Sequence, residues 1–180
     1  DRIQHQKNLC KVDLPGVRFV YGGAEDIALE DTSVDLVLML KSLHHVPLDQ
    51  LDQGLSEIVR VLKPGGLAYI SEPVYHGAFN DIVKLFHDEQ QVRQAAFDAL
   101  CNVVQRAELE LVEQIFFNAP GHYQDFDEFD RRLLQATHTQ HKINTPLYQR
   151  VKQAFEQHMT DAGADFLNPT RVDLLRKPRH

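Results

Sequence analysis

Residues 51–73 read LDQGLSEIVRVLKPGGLAYISEP and contain the pattern that decides the fold class. Apolar residues recur at helical spacing from 48 to 62. The Lys-Pro-Gly-Gly run at 63–66 then ends the helix, because proline cannot continue it and glycine accepts positive φ. Residues 34–40 (VDLVLML) before the helix and 67–74 after it are apolar segments typical of buried strands. Strand, helix and strand in this order predict a βαβ unit and therefore a parallel sheet.

The rest of the chain is predicted to extend this α/β unit on both sides. Helices are expected at 1–11, 79–107, 126–138 and 145–162. Strands are expected at 17–21, 109–117 and 171–176. Because Glu110 and Glu113 are charged, the strand that contains them is expected at an edge of the sheet rather than at its centre.

The composition is typical of a soluble globular protein with one domain. The 180 residues are 43% hydrophobic and 25% charged, with a formal net charge of −7. This acidic balance argues against DNA or structured RNA as a partner, because phosphate binding needs a local excess of cationic side chains. No run approaches the roughly 20 apolar residues of a membrane span. Two cysteines, Cys10 and Cys101, predict no disulfide framework, which favours the reducing cytoplasm.

Five segments along the chain carry a resemblance to a known family. They are VRFVYGGAEDI at 17–27, VDLVL at 34–38, LHHV at 43–46, EIVRVLKPGG at 57–66 and SEP at 71–73. Each is a weak signal alone. In this order and at these separations they resemble the class I S-adenosylmethionine (SAM) methyltransferases, most closely the subgroup that contains the ubiquinone/menaquinone-biosynthesis methyltransferases. The resemblance implies SAM as the methyl donor and a small molecule as the acceptor.

The resemblance also implies a Rossmann-like α/β sheet. The family's strand order is 3-2-1-4-5-7-6, with the last strand antiparallel and SAM across the carboxyl ends of the strands. Family strands 3, 4, 5, 6 and 7 correspond to residues 17–21, 34–40, 67–74, 109–117 and 170–176. Strands 1 and 2 have no counterpart in this sequence. Neither do the glycine-rich loop that holds the amino-acid end of SAM and the acidic residue that holds its ribose.

We therefore expect the C-terminal part of a longer methyltransferase, a single domain over 1–180 in which residues 118–165 form a helical lid over the substrate. The aromatic residues of that segment are also compatible with simple helix packing. The implied sheet leaves strand edges unpaired where strands 1 and 2 belong. Residues upstream of this sequence, or a second copy in a homodimer, are expected to complete the sheet.

The resemblance places the adenine of SAM against the loop that begins at Gly22. In the family an Asp after the first glycine accepts from the exocyclic amine, and the next backbone N–H meets a ring nitrogen. Here Gly23 stands in the place of that Asp, while Ala24 retains the N–H, and Glu25 or Asp26 is available as a substitute acceptor. The alternative interpretation is a flexible loop with a solvated acidic pair.

Leu40 and Lys41 follow the second predicted strand, where the family places residues beside the methionine part and sulfur of SAM. A lysine is unusual there in the subgroup. Lys41 is expected either to pair with an anionic group of the cofactor or substrate, or to point its amine to solvent.

The His44-His45 pair allows three interpretations. His45 is a candidate general base that takes a proton from the acceptor. A metal site is not expected, because adjacent residues rarely aim both rings at one ion and no HxxxH spacing is present. The third interpretation is a structural role at the start of a loop, which the recurrence of this dipeptide in family members with different substrates favours.

Glu72 ends the strand after the helix and points by the sheet rule toward the ligand crevice. It is the second candidate catalytic residue, expected to orient a substrate amine or hydroxyl. The alternative is a capping or ion-pairing role.

Two other functions remain compatible with the sequence. A catalytically inactive, methyltransferase-like binding or regulatory protein would explain Gly23 in place of Asp and the absence of the glycine-rich loop. A nicotinamide-dependent Rossmann oxidoreductase would require the last strand of the sheet to be parallel. An SAM-dependent methyltransferase, in which an activated methyl group asks little acid/base chemistry of the protein, is the function we expect.

Overall fold

The computed structural model describes residues 2–10, 14–135 and 143–179. The strands are β1 (Val34–Leu40), β2 (Leu62–Pro73), β3 (Glu110–Tyr123) and β4 (Ala164–Arg176). The helices are α1 (Arg2–Leu9), α2 (Leu51–Val61), α3 (Ala78–Val83), α4 (Gln90–Gln105), α5 (Phe126–Phe129) and α6 (Thr145–Glu156). Short 3-10 turns at Leu43–His45 and Leu48–Gln50 precede α2, and a π turn at Asp130–Leu134 follows α5. No helix among the described residues is long and apolar enough to cross a membrane.

The four strands form one mixed sheet in the order β1-β2-β4-β3. β1 and β2 are parallel and are joined by α2, which confirms the βαβ unit. β4 is antiparallel to both of its neighbours, β2 and β3. This arrangement corresponds to the 4-5-7-6 part of the family order and lacks the parallel last strand of a nicotinamide-dependent Rossmann enzyme. That family strands 1 and 2 belong beside β1 remains a prediction.

The helix ends just before the Lys-Pro-Gly-Gly run, as the sequence indicates. The strand β2 already begins at Leu62, so this run lies within its assigned range. The ladder with β1 pairs Val34 with Leu62 and then Leu36 with Leu67, so the turn bulges out between these two pairs. Gly65 has a φ of +81°, in the left-handed region that favours glycine. The turn therefore lets helix and strand follow one another without a longer connection.

Two expected elements differ from the structure. Residues 17–21 form no strand, and the loop contains only an isolated bridge between Gly23 and Asp26. The cause is that no described strand lies beside them, so their N–H and C=O groups have no ladder to join. The long helix expected at 79–107 is divided into α3 and α4. Residues 84–89 separate them, and the Asp88 carboxylate, just before the N-cap residue of α4, accepts a hydrogen bond from the Gln90 N–H at 3.0 Å.

The remaining boundaries shift by several residues. β3 and β4 are longer than expected, and β3 lies at the sheet edge, as Glu110 and Glu113 indicate. The helix expected at 126–138 is α5 and the π turn, and the rest of that range, from 136, lies outside the described residues. α6 ends at residue 156, earlier than the expected 162.

Two hydrophobic clusters hold the chain together. The first lies between one face of the sheet and helices α2 and α4, and includes Leu55, Ile58, Ile70 and Val103. The second joins the far ends of β3 and β4 to α3, α5 and α6 around a group of aromatic rings, Tyr123, Phe126, Phe129, Phe155 and Phe166. The second cluster lies beyond the carboxyl end of β2. Residues of α3, β3 and the π turn that belong to this cluster also line a cavity at that end of the sheet.

The other face of the sheet has exposed apolar residues on its two outer strands, β1 and β3. Leu36, Leu38 and Leu40 on β1 are 49%, 57% and 61% exposed, and Ile115 and Phe117 of β3 belong to the same face by register. Helices α2 and α4 cover only the opposite face. The expectation that further residues or a second copy complete the sheet remains a prediction.

An ionic cluster attaches residues 27–33 to α2. Glu57 accepts hydrogen bonds from the Arg60 guanidinium at 2.7 Å and from the Ile27 N–H at 2.9 Å. Arg60 also donates to the carbonyl of Leu29 and to the carboxylate of Asp31. The Arg60 hydrogen bond, followed by that of Ile27, lowers the pKa of Glu57 to about 2. The loop that precedes β1 is therefore held in place through one helical carboxylate.

Replacing Glu57 with Gln is expected to flatten the acid limb of the stability curve. Because the folded-state pKa is depressed, ionised Glu57 stabilises the fold above its ordinary pKa of about 4.3, and this contribution is lost as the pH falls to about 2. Urea unfolding at a series of pH values should give a smaller slope over that interval for Glu57→Gln than for the wild type. Parallel curves would contradict this role.

Candidate active site

A cavity of about 430 Å³ opens at the carboxyl ends of β1 and β2. Its polar wall includes Lys41, His44, His45, His87, Glu89, Arg93 and Asn168. Its apolar wall includes Val74, Phe79, Val83, Phe86 and Leu133. Open α/β sheets place their ligands at this edge, and a cavity of this size suits a small molecule.

Lys41 ends β1 at the rim of this cavity. Its φ is +53°, in the left-handed region that a non-glycine residue seldom adopts, and its N–H donates to the Ser71 carbonyl at 2.7 Å. The side chain is exposed. Backbone strain of this kind is concentrated at binding sites, where the surroundings enforce it. Leu40, in contrast, lies on the exposed sheet face and does not line the cavity.

Glu72 lies behind the cavity wall and is buried. Its carboxylate accepts from the backbone N–H groups of Ser42 at 3.0 Å and Leu43 at 2.8 Å, and it contacts Nδ1 of His44. These bonds hold the turn at Leu43–His45 against the end of β2. The structure therefore gives Glu72 the capping and ion-pairing contacts that were the alternative to a direct substrate contact.

The two histidines of this turn line the cavity, with ring centroids 4.1 Å apart. His44 is buried and His45 is exposed. Partial desolvation, together with the neighbouring His44 ring, lowers the pKa of His45, although Glu89 and Glu72 act in the opposite direction. At neutral pH His45 is an uncharged imidazole, which is the form that accepts a proton.

A second polar group faces the histidines from the start of α4. Arg93 donates to Oε2 of Glu89 at 2.6 Å and to the Asn80 side chain at 3.0 Å, and Nε2 of His87 lies 2.9 Å from Oε1 of Glu89. Burial alone would raise the pKa of Glu89, but the hydrogen bond and charge of Arg93 lower it overall. Sequence reasoning missed this group because it placed these residues inside a long helix. The polar run HDEQQ at 87–91 was the signal of a break.

The predicted adenine loop lies apart from the cavity lining. Ala24 packs against the first hydrophobic cluster beside Gly54, in the first turn of α2. The Glu25 carboxylate occupies the space beside Gly23 that a side chain at that position would otherwise fill. An acidic group is thus present beside Gly22 and Gly23 although the family's Asp is not.

The lid segment supplies a small part of the cavity wall. Tyr123, Arg132 and Leu133 reach the cavity, and the Arg132 guanidinium lies 4.7 Å from the centre of the Tyr123 ring. Phe129 and Phe155 are fully buried in the second cluster. Most aromatic residues of this segment therefore pack the core, which was the alternative to a role in specificity.

Comparisons with known proteins agree with this architecture. The family described as a methyltransferase domain matches residues 2–70. A phthiotriol/phenolphthiotriol dimycocerosates methyltransferase of Mycobacterium ulcerans is 46% identical over 54 residues, which are 30% of this chain and 19% of the relative. A fatty-acid O-methyltransferase of Mycolicibacterium smegmatis is 39% identical over 61 residues, 33% of this chain and 22% of the relative. These alignments thus cover about a fifth of each relative.

Solved structures match over nearly the whole chain. A candidate methyltransferase from Bacillus halodurans superimposes with a TM-score of 0.59 at 18% identity, over 98% of this chain and 77% of its own. The YcgJ protein of Bacillus subtilis gives 0.57 at 15% identity, over 97% and 77%. At such identities the likeness concerns the fold, while the sequence match concerns the family. Residues 2–70 are therefore similar in sequence to a methyltransferase domain, and the described chain has the Rossmann-like fold of these solved structures.

Proposed function

We propose that this chain takes part in methyl transfer from SAM to a small-molecule acceptor that occupies the cavity. The observation that carries the proposal is the position of the cavity at the carboxyl ends of β1 and β2, with His45, a candidate proton acceptor, in its wall. Cytoplasmic location, independence of nucleic acid and the narrower likeness to ubiquinone/menaquinone-biosynthesis methyltransferases remain predictions from the sequence.

The donor is proposed to lie along the exposed end of β1. Gly22, Gly23, Ala24 and Glu25 would hold the adenine, with the Glu25 carboxylate as acceptor for its amine. Leu40 and Lys41 would lie beside the methionine part, where the Lys41 ammonium suits a carboxylate. These residues fit part of SAM, and these 180 residues contain no counterpart of the family's glycine-rich loop or acidic ribose ligand. A second copy or further residues beside β1 would complete both the sheet and this site.

SAM supplies a sulfonium-activated methyl group, so the protein's main task is to orient the acceptor. A base that removes the acceptor's proton adds to the rate. His45 is proposed to accept the acceptor's proton on an imidazole nitrogen as the methyl group is transferred. Glu72 acts as a positioning residue, because its three contacts fix the turn from which His45 projects. The aromatic and aliphatic wall of the cavity keeps water away from the reacting atoms.

The acceptor is proposed to be an apolar molecule with one hydroxyl group, whose proton passes to His45 as the oxygen takes the methyl group. Phe79, Val83, Phe86 and Leu133 provide an apolar wall opposite the histidines. The named relatives support this choice, since one is a fatty-acid O-methyltransferase and the other acts on phthiotriol dimycocerosates. The lid over 118–165 would contribute Tyr123 and Arg132 to this recognition.

Replacing Ala24 with Pro is expected to weaken SAM binding about tenfold, because proline removes the backbone N–H proposed to meet the adenine ring. The measurement is calorimetric titration with SAM and S-adenosylhomocysteine, using the product of the complete reading frame that encodes these residues. Ala24→Gly is the matched control, since it keeps the N–H, and thermal unfolding checks that both variants fold. Equal affinities of a folded Ala24→Pro and the wild type would refute the adenine-loop assignment.

A further inference from the structure

Three potential metal ligands converge in the cavity wall. A ring nitrogen of His44, a ring nitrogen of His45 and a carboxylate oxygen of Glu89 all lie within 4.8 Å of one another. Nε2 of His44 is 3.7 Å from Oε1 of Glu89, which is too long for a hydrogen bond. Two ligands each about 2.1 Å from a tetrahedral zinc ion are separated by about 3.4 Å, so this spacing suits an ion between the two atoms.

The outer atoms of two of these ligands, His44 and Glu89, are already engaged, which turns their inner atoms toward each other. Glu72 contacts Nδ1 of His44, so the free nitrogen of that ring faces Glu89. Arg93 binds Oε2 of Glu89 at 2.6 and 3.1 Å, which leaves Oε1 on the side of the histidines. Nε2 of His87 also lies 2.9 Å from that oxygen. Carboxylates and cations behind the ligands fix metal sites in this way.

The sequence argument against a metal considered the two adjacent histidines alone, whereas the fold adds Glu89 from the start of α4. We propose that His44, His45 and Glu89 form a binding site for a divalent transition-metal ion, with Zn²⁺ as the expected occupant. Two imidazole nitrogens and one carboxylate oxygen are a donor set that Zn²⁺ uses while keeping its fourth position open. That position faces the cavity, because all three ligands line it.

Occupation of this site inhibits the proposed reaction. An ion on His45 takes the lone pair that would otherwise accept the acceptor's proton, and it fills space beside the acceptor. This consequence rests on the proposed function, whereas the metal site itself rests only on the three ligands. The two claims are therefore tested by separate readouts.

The first readout is metal binding without SAM. Co²⁺ is titrated into the protein, and its visible ligand-field absorption is followed and then displaced by Zn²⁺. His45→Ala, whose side chain is exposed, and Glu89→Gln are each expected to weaken Co²⁺ binding at least about tenfold. His122→Ala is the matched control, since His122 forms an exposed pair with Asp165 at 2.8 Å. Zn²⁺ should also raise the unfolding temperature of the wild type but not that of His45→Ala.

Binding that is lost in both ligand variants and retained in His122→Ala supports the site. Equal Co²⁺ affinity of the wild type and folded His45→Ala overturns it. The second readout is the effect of Zn²⁺ on methyl transfer, where inhibition that chelation reverses is expected. A protein that binds the ion through these ligands but transfers no methyl group keeps the metal site and removes the proposed function. A protein that transfers the methyl group but does not bind the ion keeps the proposed function and removes the metal site.

Discussion

Replacing His45 with Gln lowers the rate constant of methyl transfer, kcat, by about two orders of magnitude, the usual contribution of a general base. The amide keeps the polarity of the position but does not accept the acceptor's proton. Since His45 is exposed and lies on a turn that Glu72 holds, the fold and the affinity for SAM are expected to change little. The measurement compares kcat at saturating SAM with SAM affinity from calorimetry.

The pH dependence of kcat is a second test of His45 as the base. A base is active when unprotonated, and the pKa of His45 lies below the ordinary histidine value. Wild-type kcat should therefore stay constant through neutral pH and fall as the pH decreases through that lowered pKa. This limb should disappear in His45→Gln, while His122→Gln, an exposed histidine paired with Asp165, keeps it. An unchanged kcat in His45→Gln would rule out the base.

Replacing Glu72 with Ala is expected to destabilise the protein by about 3 kcal/mol or more. The change leaves the N–H groups of Ser42 and Leu43 and the buried His44 ring without their acceptor, and each unsatisfied buried group costs about 1–3 kcal/mol. Because Glu72 is 4% exposed, water does not replace the lost carboxylate. Urea unfolding measures the change in the free energy of unfolding.

Glu128→Ala is the control for this prediction. Its carboxylate also accepts from a backbone N–H, that of Gln124 at 2.7 Å, but the bond is exposed, so its loss should cost much less than the loss of the buried Glu72 carboxylate. Glu72→Gln retains one acceptor oxygen and should recover part of the loss. If Glu72→Ala and Glu128→Ala have the same cost, the turn at Leu43–His45 does not depend on the buried carboxylate.

The central part of the fold follows from the sequence because its signals are local. Periodic apolar residues up to Leu62, the Gly65-Gly66 turn and the apolar run of β1 each specify their own element. Glu110 and Glu113 mark β3 as an edge strand without any knowledge of its partner. The position of β4 between β2 and β3 depended on the family resemblance, since long-range antiparallel pairing has no local signature.

Two failures of prediction have different causes. Residues 17–21 have a strand pattern, but a strand exists only where a neighbour accepts its hydrogen bonds, and no described strand lies there. The helix expected at 79–107 is periodic enough to read as one element. Its division depends on Asp88, which bonds to the hydroxyl of Tyr75 at 2.9 Å as well as to Gln90.

The candidate site was predicted only in part, because some of its residues come from an element that is distant in sequence. Lys41 and His45 follow β1 and Glu72 lies near the end of β2, and parallel strands bring such residues to one edge. Glu89 and Arg93 arrive from the start of α4, so only the tertiary structure shows that they face the histidines. The contacts of Glu72 were also hidden, because a carboxylate at a strand end is equally suited to a ligand and to a backbone turn.

The most direct test of the central claim is a crystal structure of the product of the complete reading frame bound to S-adenosylhomocysteine. The adenine is expected against the backbone of Ala24 with its amine toward Glu25, and the sulfur beside Leu40 and Lys41, with the cavity and His45 on the side where the methyl group would leave. A nucleoside bound away from this edge, or a folded protein that remains unliganded at saturating concentration, would contradict the assignment of this site to methyl transfer.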